Sequence, residues 1–350
     1  MREEQADVFS VTIRFALLFL SKIYGFFIKT RIFFYRVGIL KTKHLPIIVI
    51  SVGNITVGGT GKTPVTQFIS QYIQNKGKKV AIISRGYRAK IRQSNGTDVS
   101  ESCNDEYLLF KENVPDIPHL MNSDRIKSGR EAINLFQAEY LLLDDGFQHL
   151  RIDRDLDIVL IDALNPFGYE QIIPRGLLRE PLIELKRAHM IMLTHVDQCR
   201  REKIDSIRER LHKIVHGIPI IETVHKPICL EFFTDSKRLD YHWLKGKRIY
   251  AFCAIGNPVS FKKSIENLGG IILNFRIFPD HHVYTRSELR ALHSEAQRFK
   301  PDAILITQKD KVKIRNNISA WKVPLLTLKM EIRIVRGYTF FEKKIDALLN

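Results

Sequence analysis

Ser51-Val-Gly-Asn-Ile-Thr-Val-Gly-Gly-Thr-Gly-Lys-Thr-Pro64 directly follows the apolar run Ile47–Ile50. A glycine-rich loop after a buried strand lets backbone N–H groups turn inward around phosphate oxygens without Cβ clashes. Lys62 can reach the β- and γ-phosphates of a nucleotide, and the Thr63 hydroxyl can bind Mg²⁺. The stretch therefore predicts a phosphate-binding loop between a strand and a helix. The residues predicted to contact the nucleotide are Thr56, Val57, Gly58, Gly59, Thr60, Gly61, Lys62 and Thr63.

The loop departs from the general phosphate-loop pattern at Thr56, which stands where the first glycine is usual. We expect Gly53 and the Gly58–Gly59 pair to supply the flexibility instead. The alternative, a glycine-rich turn with no ligand, is disfavoured because the amphipathic pattern of Val65–Ile73 predicts a helix just after the loop.

Composition limits the class of protein. At 350 residues with 45% hydrophobic side chains, the chain can bury a core and is long enough for two domains. Its four cysteines are scattered without a Cys-x-x-Cys spacing. This argues against a zinc site and against a disulfide framework, and it favours a reducing compartment.

The net charge of +17 is unevenly spread along the chain. Residues 8–97 contain fifteen Lys and Arg but no Asp or Glu. Such a stretch predicts an anionic partner, and the candidates are phosphate groups, an anionic membrane and nucleic acid. No nucleic-acid-binding motif accompanies the charge, so we expect no nucleic-acid partner.

The segment 8–35 is dense in Phe, Leu and Ile but is interrupted by basic residues. Its longest uncharged run, Phe15–Ser21, is shorter than the roughly 20 residues that a spanning helix needs. Residues 1–40 are therefore predicted to form an amphipathic helix at an anionic membrane surface, peripheral or with a single N-terminal anchor. A helix buried in the protein core is the alternative. Helical spacing places four basic residues on one stripe, namely Arg14, Lys22, Lys29 and Arg36.

A second apolar run, Glu139–Leu143, ends at Asp144 and Asp145. An apolar strand that ends in acid is the expected partner of a phosphate loop, because Mg²⁺ prefers hard oxygen ligands. Both aspartates are candidate Mg²⁺ ligands together with Thr63. The alternative role for adjacent acids at a strand end is helix capping.

Strand and helix patterns alternate along most of the chain and predict an α/β protein. We expect a P-loop NTPase-like parallel-sheet domain over 41–222, a short β linker over 223–247 and a smaller C-terminal α/β domain over 248–350. A loop in the smaller domain carries Asp280-His-His282. From the residues alone, this cluster could be a metal site, a catalytic histidine or a capping turn.

Taken together, the motifs resemble those of the tetraacyldisaccharide 4'-kinases, the lipid A 4'-kinases of Gram-negative bacteria. The form Gly-Asn-x-x-x-Gly-Gly-x-Gly-Lys-Thr-Pro is highly specific, so Thr56 is a feature of that family rather than a defect. The motifs run in the family's order over almost the whole chain: Val52–Pro64, Ser84–Tyr87, Asp105–Glu106, Asp144–His149, Pro174–Pro181, Asp280–His281 and Thr307–Asp310.

The resemblance implies transfer of the γ-phosphoryl group of ATP to the 4'-hydroxyl of a tetraacylated, 1-phosphorylated glucosamine disaccharide at the cytoplasmic face of the inner membrane. It implies that Lys62 stabilises the phosphates and that Thr63, with an aspartate of the Asp144–Asp145 pair, binds Mg²⁺. It further implies that Asp105, assisted by His281 from the second domain, removes the hydroxyl proton. By similarity, five residues are expected to meet the lipid disaccharide: Arg85, Tyr87, His149, Arg175 and Arg179.

Two positions depart from the family pattern. Asn104 stands where glycine commonly precedes the Asp-Glu of the proposed base, and Gln308 replaces a common glutamate. A membrane-associated P-loop ATPase that acts as a switch or positioning protein is the alternative function, because Gly-Gly-Thr-Gly-Lys-Thr also occurs in such proteins. Such a switch has no evident need for Asp105 and His281.

Overall fold

The structure, a computed structural model, describes residues 2–86, 105–314 and 321–349, with side chains from residue 12 onward. The chain forms two compact units. The first unit contains Met1–Arg85, Leu120–Thr223 and Ile334–Asn350, and the second contains Gly86–His119 and Val224–Arg333.

Helices and strands alternate along the described chain, as the sequence pattern predicts. The helices are α1 (Arg2–Arg36), α2 (Lys62–Asn75), α3 (Asp105–Asn113), α4 (Arg125–Phe136), α5 (Arg201–Ile214), α6 (Pro258–Asn267), α7 (Arg286–Phe299), α8 (Gln308–Ile314) and α9 (Tyr338–Leu349). The strands are β1 (Ile48–Asn54), β2 (Val80–Ser84), β3 (His119–Met121), β4 (Tyr140–Asp144), β5 (Leu156–Asp162), β6 (Met190–Thr194), β7 (Ile220–Phe232), β8 (Arg238–Leu239), β9 (Arg248–Cys253), β10 (Ile271–Ile277), β11 (Ala303–Thr307) and β12 (Leu325–Arg336).

The first unit is built on a mostly parallel sheet in the order β7-β6-β5-β1-β4-β2-β3. β1 pairs in parallel with β4 on one side and with β5 on the other, so the strand before the phosphate loop is central. All residues of β2, β4, β5 and β6 are buried. Burial on both faces explains why these strands consist mostly of apolar residues.

The second unit has its own parallel pairings, of β9 with β10 and β11 and of β11 with β12. β8 pairs with β7 in the antiparallel sense and forms a short hairpin in the segment that the sequence predicted to be a β linker. Two layers of apolar side chains pack on the strands, and helices α6 and α7 contribute Phe261, Ile265, Leu289 and Leu292 to them.

The long helix α1 lies in the first unit and has two different faces. Ser21, Gly25 and Ile32 are buried, and the Ser21 hydroxyl donates to the Ile172 carbonyl at 2.6 Å. Among the described residues, no helix combines the length and the apolar content that a membrane crossing requires. The opposite face exposes large apolar side chains, namely Ile13, Phe15, Phe19, Leu20, Ile23, Phe26, Phe27, Phe33 and Phe34.

The two units do not follow the expected domain limits of 41–222 and 248–350. Residues 86–119 group with 224–333, because α3 packs on α8, where the Lys311 ammonium donates to Glu112 at 2.7 Å. The last helix, α9, groups with the first unit because Phe341 packs against α2. Both groupings depend on contacts between segments far apart in the chain, which local sequence patterns do not reveal.

Gly53, in the strand before the phosphate loop, has a packing role that differs from the expected flexibility. A Cβ at this position would lie 2.6 Å from both the Cβ and the backbone nitrogen of Phe147, which is fully buried. The φ angle of Gly53 is not in the left-handed region. The glycine is required because the backbone of the next motif passes so close to β1.

We expect Gly53→Ala to lower the free energy of unfolding by about 1–3 kcal/mol, since overpacking at a rigid contact forces backbone shifts. Gly25→Ala is the matched control, because its Cβ would meet only the flexible end of Ile172, at 3.2 Å, and alanine favours the helix. Denaturant unfolding of both variants measures the difference. Equal stability of the two variants would contradict the packing role.

Candidate active site

The phosphate loop is anchored at its start by backbone pairing. Thr56 forms an antiparallel bridge with Leu178, and the Val57 N–H donates to the Leu177 carbonyl at 2.8 Å. Gly58 and Gly61 have φ angles of 114° and 85°, which a side chain would strain. Thr56 is thus paired like a strand residue, and the left-handed turns fall on the later glycines.

Thr60 fixes the middle of the loop through two hydrogen bonds. Its hydroxyl accepts from the Asn54 amide at 2.9 Å, and its carbonyl accepts from the Thr194 hydroxyl at 3.1 Å. Helix α2 begins directly afterwards at Lys62, so its first N–H groups face the loop. This is the arrangement that binds phosphate at a helix N-terminus.

The two acids at the end of β4 have different partners. The Asp144 carboxylate is buried and accepts from the Thr66 hydroxyl of α2 at 2.9 Å. Both oxygens of Asp145 accept from the Arg179 guanidinium at 2.9 Å, and Lys62 Nζ lies 3.7 Å from Asp145 Oδ1. Burial raises the pKa of Asp145, but the charges of Lys62 and Arg179 outweigh it and keep that pKa below its ordinary value.

Arg125 is a residue of this site that sequence reasoning missed. Its guanidinium donates to the carbonyls of Asp144 and Asp145 at 2.8 and 3.0 Å and is almost fully buried. It follows Asp124, whose side chain caps α4. No local sequence pattern distinguishes this buried arginine at the start of a helix from the many other arginines of the chain.

The donors in the first unit fit Mg²⁺. Among the described residues, no group of three or more His, Cys, Asp or Glu side chains is placed to bind a metal ion. Mg²⁺ usually keeps several waters and binds through one or two carboxylates plus substrate phosphates. The Thr63 hydroxyl at the start of α2 and the Asp144 carboxylate, which Thr66 orients, offer oxygen donors of that kind.

The second unit contains the other predicted catalytic residues. His281 Nδ1 lies 3.0 and 3.1 Å from the two oxygens of Asp105, the first residue of α3. The Asp105 side chain is 7% exposed, whereas that of His281 is 51% exposed. Both residues belong to the second unit, so the pair is not contributed by two different units as the resemblance implied.

Two lysines of α8 also face Asp105. Lys309 Nζ and Lys313 Nζ each lie 3.5 Å from Asp105 Oδ2. Burial raises the pKa of Asp105, but the His281 hydrogen bond and the two ammonium charges keep that pKa well below its ordinary value. The hydrogen bond to Asp105 raises the pKa of His281, while burial and Lys309 act in the opposite direction.

The residues expected to meet the lipid disaccharide have different surroundings. Arg85 follows the end of β2 and is exposed, Tyr87 lies outside the described residues, and Arg179 pairs with Asp145. The Arg175 guanidinium donates to the Arg14 carbonyl of α1 at 3.2 Å. Burial, together with nearby arginines, lowers the pKa of His149 to about 4.

The departure at Gln308 has a structural explanation. Its amide nitrogen donates to Asn113 at 3.4 Å, and its amide oxygen accepts from the Met330 N–H at 3.1 Å. Gln308 therefore links α3 to β12 through one donor and one acceptor. An ionised glutamate could only accept. Asn104, the other departure, lies outside the described residues.

A phosphate loop after the central strand of a parallel sheet, with acids at the end of the neighbouring strand, defines a P-loop nucleotide-binding protein. Comparison with known proteins identifies the family to which the chain belongs within that class. The chain belongs to the tetraacyldisaccharide 4'-kinase family, because the sequence profile described as tetraacyldisaccharide-1-P 4'-kinase matches residues 13–350. It is thus an ATP-dependent kinase that uses Mg²⁺, and the predicted fold class is confirmed.

Individual relatives agree with this assignment. The tetraacyldisaccharide 4'-kinase of Syntrophus aciditrophicus is 35% identical and matches over 86% of this chain and 87% of its own. That of Halothermothrix orenii is 34% identical over 91% of this chain and 89% of its own. The crystal structure of LpxK from Aquifex aeolicus in complex with ATP is 30% identical, has a TM-score of 0.72 and covers 97% of this chain and 100% of that one.

We expect Thr66→Val to raise the Mg²⁺ concentration for half-maximal activity by about 10-fold or more, because residues that orient a metal ligand typically affect affinity to this extent. The change preserves side-chain shape and removes only the hydroxyl that donates to Asp144. Ser70→Ala, one turn further along α2, is the control, because the Ser70 hydroxyl bonds only within its helix. Titration of Mg²⁺ at saturating ATP distinguishes them, and an unchanged requirement in Thr66→Val would contradict the assigned role.

Proposed function

We propose a division of work for the reaction of this family, transfer of the ATP γ-phosphoryl group to the 4'-hydroxyl of a tetraacyldisaccharide 1-phosphate in lipid A synthesis. Lys62 and the N–H groups of the loop bind the ATP phosphates, and Thr63 with Asp144 or Asp145 binds Mg²⁺. The ion, when bound, neutralises charge that develops on the phosphate oxygens. The observation that supports this most directly is the anchored loop beside the Asp144–Asp145 pair.

The Asp105–His281 pair activates the sugar hydroxyl in this proposal. The geometry favours His281 as the group that takes the proton, because Nδ1 is directed at a buried carboxylate while the imidazole itself is half exposed. In a histidine held through Nδ1 by a carboxylate, Nε2 is the accepting atom. Asp105 then orients the ring rather than removing the proton directly, which reverses the roles that the resemblance implied.

Transfer of the phosphoryl group forms one bond to phosphorus and breaks another. The hydroxyl oxygen forms a bond to the γ-phosphorus as the bond from that phosphorus to the bridging oxygen of ADP breaks. The hydroxyl proton passes to His281 Nε2, and ADP leaves with the bridging oxygen. Positioning and charge stabilisation supply most of the catalysis in such reactions.

Arg179 is suited to bind a phosphate group. In the structure its guanidinium bonds both oxygens of Asp145, and Asp145 also faces Lys62. Guanidinium groups also bind phosphate oxygens strongly, so a phosphate can compete with Asp145 for the Arg179 side chain. We therefore assign Arg179 to a phosphate of ATP or of the lipid, and Arg85, His149 and Arg175 to the lipid disaccharide.

The exposed face of α1 supports binding to an anionic membrane at the cytoplasmic side of the inner membrane. Phe26 and Phe27 are each about two-thirds exposed, and Lys22 and Lys29 are exposed on the same helix. A helix with aromatic and basic side chains exposed together is typical of interfacial binding. This location would bring the protein to a substrate that carries four acyl chains.

His281→Ala and Asp105→Asn should each lower kcat by about 10²-fold or more, as expected for loss of acid–base catalysis. The assay measures formation of the bisphosphorylated lipid from ATP, Mg²⁺ and the disaccharide in detergent micelles. Unchanged turnover in both variants would exclude the pair from catalysis. ATP hydrolysis without a lipid product in the unmodified protein would favour a switch ATPase.

The pH dependence tests which residue takes the proton. Because Asp105 raises the pKa of His281, and because a general base must be unprotonated, activity should rise with pH through a midpoint above the ordinary histidine value of about 6.5. In Asp105→Asn the raising interaction is lost, so the midpoint of the residual activity should move to lower pH. An acid limb that is absent in Asp105→Asn and retained in His281→Ala would assign the proton to Asp105 instead.

Replacing Phe26 and Phe27 together by Ser should greatly reduce binding to vesicles, because both exposed rings would leave the membrane interface. Lys22→Gln with Lys29→Gln should instead reduce binding to vesicles with anionic lipid while leaving weak binding to neutral vesicles. Vesicle co-sedimentation at two salt concentrations separates these contributions. Full binding by the aromatic variant would contradict the proposed surface.

A further inference from the structure

Two lysines of α8 contact the same carboxylate oxygen in the second unit. Lys309 and Lys313 are four residues apart, so they lie on one face of the helix. Each ammonium nitrogen is 3.5 Å from Asp105 Oδ2. A carboxylate that is 7% exposed and faces two cations is electrostatically unlike an ordinary helix-capping aspartate.

Each lysine is fixed by a second acid. Lys309 Nζ donates to Asp280 Oδ1 at 3.0 Å, and Asp280 precedes His281 in the chain. Lys313 Nζ lies 3.7 Å from Asp310 Oδ1 and donates to the Ala254 carbonyl at 2.5 Å. The lysines are therefore positioned by neighbours on both sides, and their contact with Asp105 does not depend on a loose surface side chain.

Asp310 forms the base of this cluster. It is fully buried, and it accepts from the Tyr284 hydroxyl at 3.0 Å, the Thr307 hydroxyl at 2.6 Å and the Ala254 N–H at 2.9 Å. These groups come from the ends of β9 and β11 and from the loop before α7. The parallel sheet of the second unit thus determines where Lys313 is placed.

The charges around His281 oppose one another. Asp105 and Asp280 stabilise its protonated form, and Lys309 destabilises it. The positive charge of Lys313 stabilises the Asp105 carboxylate, and Lys313 in turn lies 3.7 Å from Asp310. The negative charge of Glu106 stabilises the ammonium group of Lys309. A histidine between two uncompensated carboxylates would remain an imidazolium and could not accept a proton near neutral pH.

We propose that Lys309 and Lys313 are positioning residues for the Asp105–His281 pair. Their ammonium groups fix the buried Asp105 carboxylate against the imidazole. They also offset the negative charge of that carboxylate, so that the imidazole is available as a proton acceptor. The inference rests on the proposed catalytic role of that pair. In this role the Lys-Asp-x-x-Lys arrangement of α8 serves the catalytic pair.

The first test is the pH profile of kcat/KM for the full-length protein. Lys309→Met should move the acid limb to higher pH by about half a unit to one unit, because the repelling charge near His281 is removed. Lys313→Met should move it in the same direction and lower kcat as Asp105 loses a partner. Lys309→Arg and Lys313→Arg keep the charge and should restore the acid limb.

Lys311 provides a matched control on the same helix. Its ammonium bonds Glu112 and Glu231 and does not face Asp105. Lys311→Met should lower the thermal midpoint and leave the acid limb in place. An acid limb that stays in place in both Lys309→Met and Lys313→Met would overturn the proposal, whatever their overall activity.

The second test is a double-mutant cycle on single-turnover rates, measured at a pH above the acid limb, where His281 is unprotonated in every variant. If the lysines act through the pair, adding Lys309→Met or Lys313→Met to Asp105→Asn should cause no further loss, whereas independent effects would multiply. Multiplying losses would refute the inference alone. Unchanged rates in Asp105→Asn and His281→Ala would refute the catalytic pair itself. If Lys313→Met fails to fold, the partly exposed Lys309 and the two arginine variants decide the result.

Discussion

The parallel register of β1 with β4 is the constraint on which the nucleotide site depends. Val52 pairs with Asp144, the last residue of β4, and β1 ends shortly afterwards at Asn54. The phosphate loop that leaves β1 and the acids that follow β4 must then meet at one edge, where open α/β sheets bind ligands. The chain at Phe147 passes so close to β1 that only glycine fits at position 53. Loop, acids and glycine are consequences of one strand pairing.

The second unit uses the same principle for a different purpose. The carboxyl ends of β9 and β11 bring the Ala254 backbone and Thr307 together around Asp310, and α8 starts directly after β11. Helix α3 then packs on α8 and brings Asp105 to His281. A parallel sheet therefore sets the placement of an acid–histidine pair whose members lie 176 residues apart in the chain.

The sequence was most informative where function lies within one or two elements. The loop from Gly53 to Thr63 and the acids at 144 and 145 are local motifs, and their strands and helix were predictable from apolar periodicity. The grouping of Asp105 with His281 in one unit was not predictable from local patterns. It depends on the packing of α3 against α8, where the contacting residues Glu112 and Lys311 lie 199 residues apart in the chain. Arg125 and Lys313 have no local signal, since a buried cation looks like any other in a basic chain. Gly53 was recognised for the wrong physical reason, flexibility rather than close approach.

The packing of α9 against α2 affects how the protein is made. Tyr72 of the nucleotide-binding helix bonds Asp346, which is translated 274 residues later. At bacterial synthesis rates of about 5–20 residues per second, that interval is roughly 14–55 s. Throughout it the Phe68 and Tyr72 side of α2 has no α9 to cover it. A nascent chain in this state leaves these apolar side chains of α2 uncovered, and exposed apolar surface of this kind promotes aggregation until the C-terminal helix emerges.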